Sequence, residues 1–222
     1  MYSLVIDAST ERAVAALASH GKVIQKKELP HGNHGSRHLM PAIVEIFEVS
    51  GLTPQELDYI VVGVGPGSYT GMRVAAAIGK SLSFSLQRPL VGVSTLMGLI
   101  PENRQGPFAA ILDARFAGVY LMKGVCDVEG ISWSMVPTVV GLKEVGEALK
   151  EVSLLITTDK KRLSERLTKV YEWEEKAPDA GELAHQGHKK FVAGDFSDDL
   201  EILYLRPTQA EVEKKNLGFS FD

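Results

Sequence analysis

The chain has one cysteine, Cys126, so neither an internal disulfide nor a thiolate metal cluster can form. That scarcity points to a reducing compartment. Aromatic residues make up only 7% of the sequence. No charge of one sign dominates: 24 basic residues stand against 28 acidic ones, a net charge of −4. The whole chain therefore exerts no polyelectrolyte pull on nucleic acid, and only a local basic patch could do so. Long apolar runs are missing as well. The uncharged stretches 59–72 and 89–101 are interrupted by glycine and proline. They fall short of the roughly 18–20 apolar residues that a membrane span needs. Asp7 interrupts the first apolar run, and no basic segment precedes it, so no targeting segment is expected. The expectation is a soluble, cytoplasmic protein.

What is present is an ordinary globular balance, 45% hydrophobic and 23% charged over 222 residues. A chain of that length can bury about 70% of its unfolded surface. Strands are predicted at 4–6, 12–19 and 22–29, then a helix from Ser36 to Gly51, with Ser36 as N-cap and Gly51 closing it. A buried strand at 58–64, a helix at 71–87 and a strand at 90–93 follow. The run Pro101-Glu-Asn-Arg-Gln-Gly-Pro107 contains no apolar residue beyond its prolines and is the best linker. After it come strands at 108–113, 118–124 and 131–136, a helix at 141–150, a strand at 152–157, and helical stretches near 160–169 and 179–193.

The second series of elements repeats the first. Val5-Ile-Asp7-Ala8 matches Ile111-Leu-Asp113-Ala114, and each copy opens three strands followed by alternating helix and strand. A duplicated α/β fold follows, with lobes at 1–103 and 104–207 and a charged, mobile tail at 208–222. The competing reading is one α/β domain with a coincidental tetrapeptide.

Several segments could carry chemistry. Gly63-Val-Gly65-Pro-Gly67-Ser68-Tyr-Thr70-Gly71-Met-Arg73 joins a strand to a helix, where amides and the helix N-terminus can hold an anion. It lacks the Gly-Lys-Ser/Thr ending of a P-loop and the glycine spacing of a dinucleotide fingerprint. A tight turn that needs glycine for its backbone geometry explains it equally well. Asp7 and Asp113 each end a strand, where duplicated α/β ATPases and sugar kinases place a metal-organising aspartate. Here Ala8-Ser9-Thr10 and Ala114-Arg115-Phe116 follow instead of glycines, so simple turn contacts are the favoured reading. His31, His34 and His38, and separately His185 and His188, lack a third ligand nearby, and solvated histidines are favoured over a metal site. No Gly-x-Ser-x-Gly elbow occurs.

Two helices carry more apolar surface than one-sided packing needs. In the first, Leu39, Met40, Ala42, Ile43, Val44, Ile46 and Phe47 cover an arc of about 200°, where about 100° suffices. In the second, Val74, Ala75, Ile78, Leu82 and Leu86 make a core face, opposed by Arg73, Ala76, Ala77, Lys80 and Phe84. Deep burial and a subunit contact explain the pattern equally.

The block Gly65-Pro-Gly-Ser-Tyr-Thr-Gly-Met-Arg73, with Pro89-Leu-Val-Gly-Val-Ser-Thr-Leu96, resembles the bacterial TsaB (YeaZ) family. Val5–Thr10, Ser36–Pro41, Leu112–Arg115 and Tyr204–Arg206 add weaker matches. The resemblance implies a duplicated actin/sugar-kinase-like (ASKHA) fold, each lobe a mixed sheet flanked by helices. It implies a non-catalytic subunit of the assembly that makes threonylcarbamoyladenosine at position 37 of tRNA. The first lobe would pair with a catalytic TsaD-type subunit through its two long helices, and would self-pair into a homodimer when alone. The interface expected on that basis comprises Leu39, Met40, Ile43, Val44, Phe47, Arg73, Ala76, Ala77, Lys80 and Phe84. A TsaE-type ATPase and tRNA would join the assembly. No catalytic residue, cofactor or metal is expected in this chain, with ATP and metal held by the partner subunits. Thr95 and Leu99 stand where the catalytic relative carries its metal-binding histidines. An anion-binding loop of Asp7, Gly65, Gly67, Ser68, Thr70 and Gly71 stays open, as does the alternative of an ATP-dependent phosphotransferase of the same superfold.

Overall fold

The computed structural model describes residues 1–30, 32, 35–167 and 169–206, the side chains of Gly35 and Ser36 excepted. His31, His34 and the 208–222 tail lie outside the described residues. The apolar, β-branched runs form two mixed sheets of the same plan. In the first, β1 (Tyr2–Asp7), β2 (Val14–Ser19) and β3 (Lys22–Glu28) are an antiparallel meander. Then β4 (Leu57–Gly63) and β5 (Leu90–Val93) add in parallel on the other side of β1, giving the order β3-β2-β1-β4-β5.

The second sheet starts at β6 (Gly106–Asp113), just past the proline-rich linker, and continues into β7 (Val119–Asp127). Two short strands, β8 (Gly130–Trp133) and β9 (Thr138–Val140), share the outer edge of β7, together occupying the place that β3 holds in the first lobe. β10 (Leu154–Thr157) and β11 (Glu172–Glu175) complete the order β11-β10-β6-β7-β8. The two orders coincide, which is the duplication anticipated for the actin-like fold, with Asp7 and Asp113 in equivalent strand-end positions.

Helix α1 (Leu39–Ser50) lays Leu39, Ala42, Ile43, Ile46 and Phe47, spaced i, i+3, i+4, against one face of the first sheet. Each of the larger side chains contributes about 1.5–3 kcal/mol by leaving water. Gly51, at φ +71°, ends the helix by donating its N–H to the Phe47 carbonyl. Ser36 does not cap α1, because a 3-10 turn over Gly35–His38 precedes it.

Helix α2 (Tyr69–Leu86) packs on the same face, with Ala75 of the expected core face fully buried and Ile78, Leu82 and Leu86 packed at the margin of the contact. Gly71, Met72, Ala75, Ala76, Gly79 and Ser83 are the buried ones, while Ile78, Leu82 and Leu86 lie half-buried at its flank. The helix comes so near the sheet that a Cβ on Gly79 would stand 2.6 Å from Val62, so small residues make the contact.

The opposite face of the first sheet is covered from far along the chain. Helix α5 (Ala180–Val192), capped by the Asp179 carboxylate, packs Ala180, Leu183 and Ala184 on Val5, Ala16, Tyr59, Val61 and Val91. The following segment bonds Ser197 to Leu90 at the β5 edge and buries Leu200. The expected 104–207 lobe is therefore not one packing unit. The first sheet is apolar on both faces, and its second face draws its cover from beyond residue 178. Two short helices, α3 (Val145–Ala148) and α4 (Lys160–Ser164), are shorter than the stretches 141–150 and 160–169. With the residues that follow each of them, they cover one face of the second sheet. Among the described residues, no helix is long and apolar enough to cross a membrane.

Candidate functional site

Two surfaces carry the residues singled out in the sequence: the cleft between the lobes and the outer side of α1 and α2. The cleft, of about 280 Å³, is walled on one side by Ser9, Thr10 and the glycine loop entering α2. Opposite stand Asp113, Arg115, Thr158, Arg162 and Arg206. Of the six residues read as an anion loop, Gly67, Ser68, Thr70 and Gly71 line this space, whereas Asp7 and Gly65 are buried outside its lining.

The loop's glycines are explained by contact with the chain itself. A Cβ on Gly67 would stand 2.0 Å from the Ser9 carbonyl oxygen, and one on Gly63 2.1 Å from the Asp7 carboxyl carbon. The Ser68 amide donates to the same Ser9 oxygen at 2.6 Å, locking the loop onto the β1 turn. Ser68 also caps α2 by accepting from the Gly71 amide at 3.2 Å.

Asp7 accepts from the Ser9 amide at 2.7 Å, and its Oδ2 has no hydrogen-bond partner of good geometry. Burial pushes its carboxyl above the ordinary carboxylate range, against the opposing pull of the Ser9 amide and the Thr95 and Ser9 hydroxyls. Thr95 accepts from the Gly65 amide at 3.2 Å and so holds the loop from below.

Asp113 sits differently. Arg166 binds its Oδ1, Arg115 and Arg162 approach Oδ2 at 3.7 and 3.9 Å, and the Arg115 amide donates at 2.8 Å. Arg115 itself adopts φ +57°, in the left-handed region. Both strand-end aspartates are thus enclosed by their own lobes, Asp7 buried under the glycine loop with one oxygen unpaired and Asp113 inside a ring of guanidiniums. The lobes are tied across the cleft by Arg12, which donates to the Thr158 carbonyl and to Glu175 at 2.8 Å. Among the described residues, no group of three His, Cys, Asp or Glu could hold a metal ion. His188 bonds the Tyr59 hydroxyl at 3.1 Å, and His38 lies exposed at the end of its 3-10 turn.

The outer face divides the ten residues read as an interface. Leu39, Ile43, Phe47 and Ala76 belong to the core of this chain, because α1 and α2 turn them toward the sheet. Met40, Val44, Arg73, Ala77, Lys80 and Phe84 are exposed, Phe84 to 88%. The two cations are already engaged by a strap over residues 196–206. Asp199 pairs with Lys80, and Tyr204 accepts from Arg73 Nε at 2.9 Å. Tyr69 completes this cluster with its ring 4.0 Å beneath the Arg73 guanidinium. Tyr69 and Arg73 are one helical turn apart, a spacing visible in the sequence; the arrival of Tyr204 is not.

The sequence model of the family described as "TsaD: tRNA N6-adenosine threonylcarbamoyltransferase" matches residues 28–187. The chain belongs to this family. Within it, the chain stands with the TsaB (YeaZ) members. It is 34% identical to the tRNA threonylcarbamoyladenosine biosynthesis protein TsaB of Escherichia coli K12, over 59% of this chain and 58% of that protein. It is 36% identical to the TsaB of Bacillus subtilis 168, over 54% of this chain and 53% of that protein. The chain thus spans between half and three-fifths of the length of these curated TsaB relatives. The fold match is broader. YeaZ from Pseudomonas aeruginosa superposes with a TM-score of 0.76 at 23% identity, covering 93% of this chain and 98% of that one. A second P. aeruginosa structure, described as similar to peptidase YEAZ, gives 0.80 at 24% identity over 92% and 99%.

Proposed function

We propose that this chain is the non-catalytic subunit of the assembly that makes threonylcarbamoyladenosine at position 37 of tRNA. In that role it docks the outer side of α1 and α2 on a TsaD-type catalytic subunit and holds it in an active arrangement, a population shift driven by differential contacts. The observation that carries the reading is the exposure of Met40, Val44 and Phe84 on those two helices. Exposed apolar side chains on outward helix faces favour association, Met40 and Val44 lying one turn apart on α1. The burial of Asp7 outside the cleft lining and the guanidiniums around Asp113 favour a partner over a phosphotransferase, since neither carboxylate is open to a metal-bound phosphate. The names of the TsaB relatives supply the pathway. A TsaE-type ATPase and tRNA belong to the same reading, with ATP and metal in the partner subunits and a homodimer through the same helices when the chain is alone.

Size-exclusion chromatography with a purified TsaD-type subunit tests it. The wild type co-elutes, and Phe84→Glu elutes separately with an unchanged melting temperature; co-elution of the variant would remove the docking face. Calorimetry with Mg-ATP separates the phosphotransferase reading, since micromolar binding by the isolated chain would favour that enzyme.

A further inference from the structure

The cluster Tyr69–Arg73–Tyr204 differs from the ion pairs of the molecule in holding its guanidinium between two aromatic rings. Lys80, Lys27, Arg12, Arg104 and Arg166 each pair with a carboxylate. Arg73 has instead been given two tyrosines. Its guanidinium carbon lies 4.0 Å from the Tyr69 ring centre and 5.9 Å from that of Tyr204, and the two rings are 5.4 Å apart. Only Nε is used, as donor to the Tyr204 hydroxyl; among the described residues, neither terminal nitrogen makes a hydrogen bond and no carboxylate pairs with the side chain. The clamp is itself held firmly. The Leu203 amide donates to the Val64 carbonyl at 2.9 Å, Leu200 is buried, and Arg206 reaches the Tyr120 hydroxyl of the second lobe at 2.9 Å.

A guanidinium fixed by cation–π contacts has already lost most of its rotamer freedom. Its open fork matches a carboxylate in bidentate geometry. It is also exposed, on the same face of α2 as Ala77 and Phe84, so apolar and charged contacts can be made together. Arginine anchors beside apolar contact are a recurrent form of interface hot spot.

We propose that the Tyr69–Arg73–Tyr204 clamp is the polar anchor of the docking face, capturing an acidic side chain of the partner protein through the free fork of Arg73. This rests on the function proposed above and extends it, because it makes the strap part of the interface. A partner that reads Arg73 meets Tyr204 at the same time.

The test is calorimetry of the full chain against the purified TsaD-type subunit, with melting temperatures alongside. Arg73→Lys keeps the charge but not the planar fork, and weakens binding about tenfold at unchanged melting temperature. Tyr204→Phe keeps the ring and loses only the hydroxyl, with a loss of about threefold. Arg73→Ala also flattens the salt dependence of binding, because a charge pair has gone. If Arg73→Lys binds like wild type while Phe84→Glu does not bind, the anchor is overturned and the docking face stands. If the arginine variants lose affinity only together with melting temperature, and the salt dependence is unchanged, the guanidinium merely holds the strap, and the proposal fails. If they shift self-association but leave partner binding alone, the carboxylate belongs to a second copy, and the proposal fails likewise. A wild type that does not bind the catalytic subunit overturns the function and the anchor together.

Discussion

The Gly71 backbone lies so close to the Ala8 carbonyl oxygen that an added Cβ would stand 1.8 Å from it. The most distinctive segment of the sequence is thus shaped by the turn it packs on. Ala8 and Ser9, the residues that replace phosphate-approach glycines after β1, are the ones that press on Gly71 and Gly67.

That contact predicts a stability cost. Gly71→Ala and Gly67→Ala each force a backbone atom to move and lower stability by about 1–3 kcal/mol, read as a reduced urea midpoint. Gly146→Ala, in α3 with nothing within 4 Å of the added methyl, is the control and leaves the midpoint unchanged or slightly higher. Equal midpoints for all three variants would show the loop to be loose.

Ala76 and Phe84, both on α2 and both read as interface residues, respond in opposite ways to a charge. Ala76 is buried against the sheet, so Ala76→Glu places an unpaired carboxylate in the core and unfolds the chain or lowers its stability by several kcal/mol. Phe84→Glu adds a solvated charge and stays within about 0.5 kcal/mol of wild type. Thermal melts of the two variants decide it, and a folded Ala76→Glu would contradict the packing of α2.

Asp7 gives a pH dependence with a definite sign. Its carboxyl is raised above the ordinary 3.8, chiefly by burial, so the folded chain keeps that proton longer than the unfolded one. The stability associated with the protonated acid is complete below 3.8 and declines as pH climbs through the folded value. In Asp7→Asn this decline is absent, and urea midpoints fall less as pH rises above 3.8 than in wild type. Parallel curves would mean that Asp7 ionises without cost.

His188 carries the opposite sign. Its ring is held below the ordinary 6.5, first by burial and then by His20, His185 and the N-terminal amine. The neutral ring is favoured in the fold, so this stability is present above 6.5 and is lost as pH drops through the folded value. His20, whose ring centre lies 6.1 Å away, sits at φ +50°, a conformation asparagine tolerates. In His20→Asn the His188 ring signals titrate nearer 6.5 by NMR; an unmoved titration would show that His20 contributes nothing and leave the shift to burial, His185 and the N-terminal amine.

The repeat is legible because Ile-Asp-Ala and Leu-Asp-Ala end equivalent apolar strands, and the succession of strands and helices along the chain follows from where the turns fall, whereas the order of strands within each sheet comes from the structure. β11, Glu172-Trp-Glu-Glu, was not legible, since an edge strand needs no apolar alternation. The core face of α2 is legible only in part: Ala75 is buried and Ile78, Leu82 and Leu86 flank the core, but close approach to the sheet puts Ala76 and Gly79 at the centre of the contact, which hydrophobicity alone does not show. In the candidate site, the exposed Met40, Val44 and Phe84 could be picked out from excess apolar surface. The engagement of Lys80 and Arg73 could not, because Asp199 and Tyr204 arrive from more than a hundred residues away.

The return of α5 has a consequence for how this molecule comes into being. While the protein is being synthesised, Val5, Ala16, Val61 and Val91 are complete as a strand surface long before Leu183 and Ala184 emerge to shield them. The nascent chain must therefore carry that greasy sheet through the making of the whole second lobe. A fragment ending at the proline-rich linker would keep it bare for good.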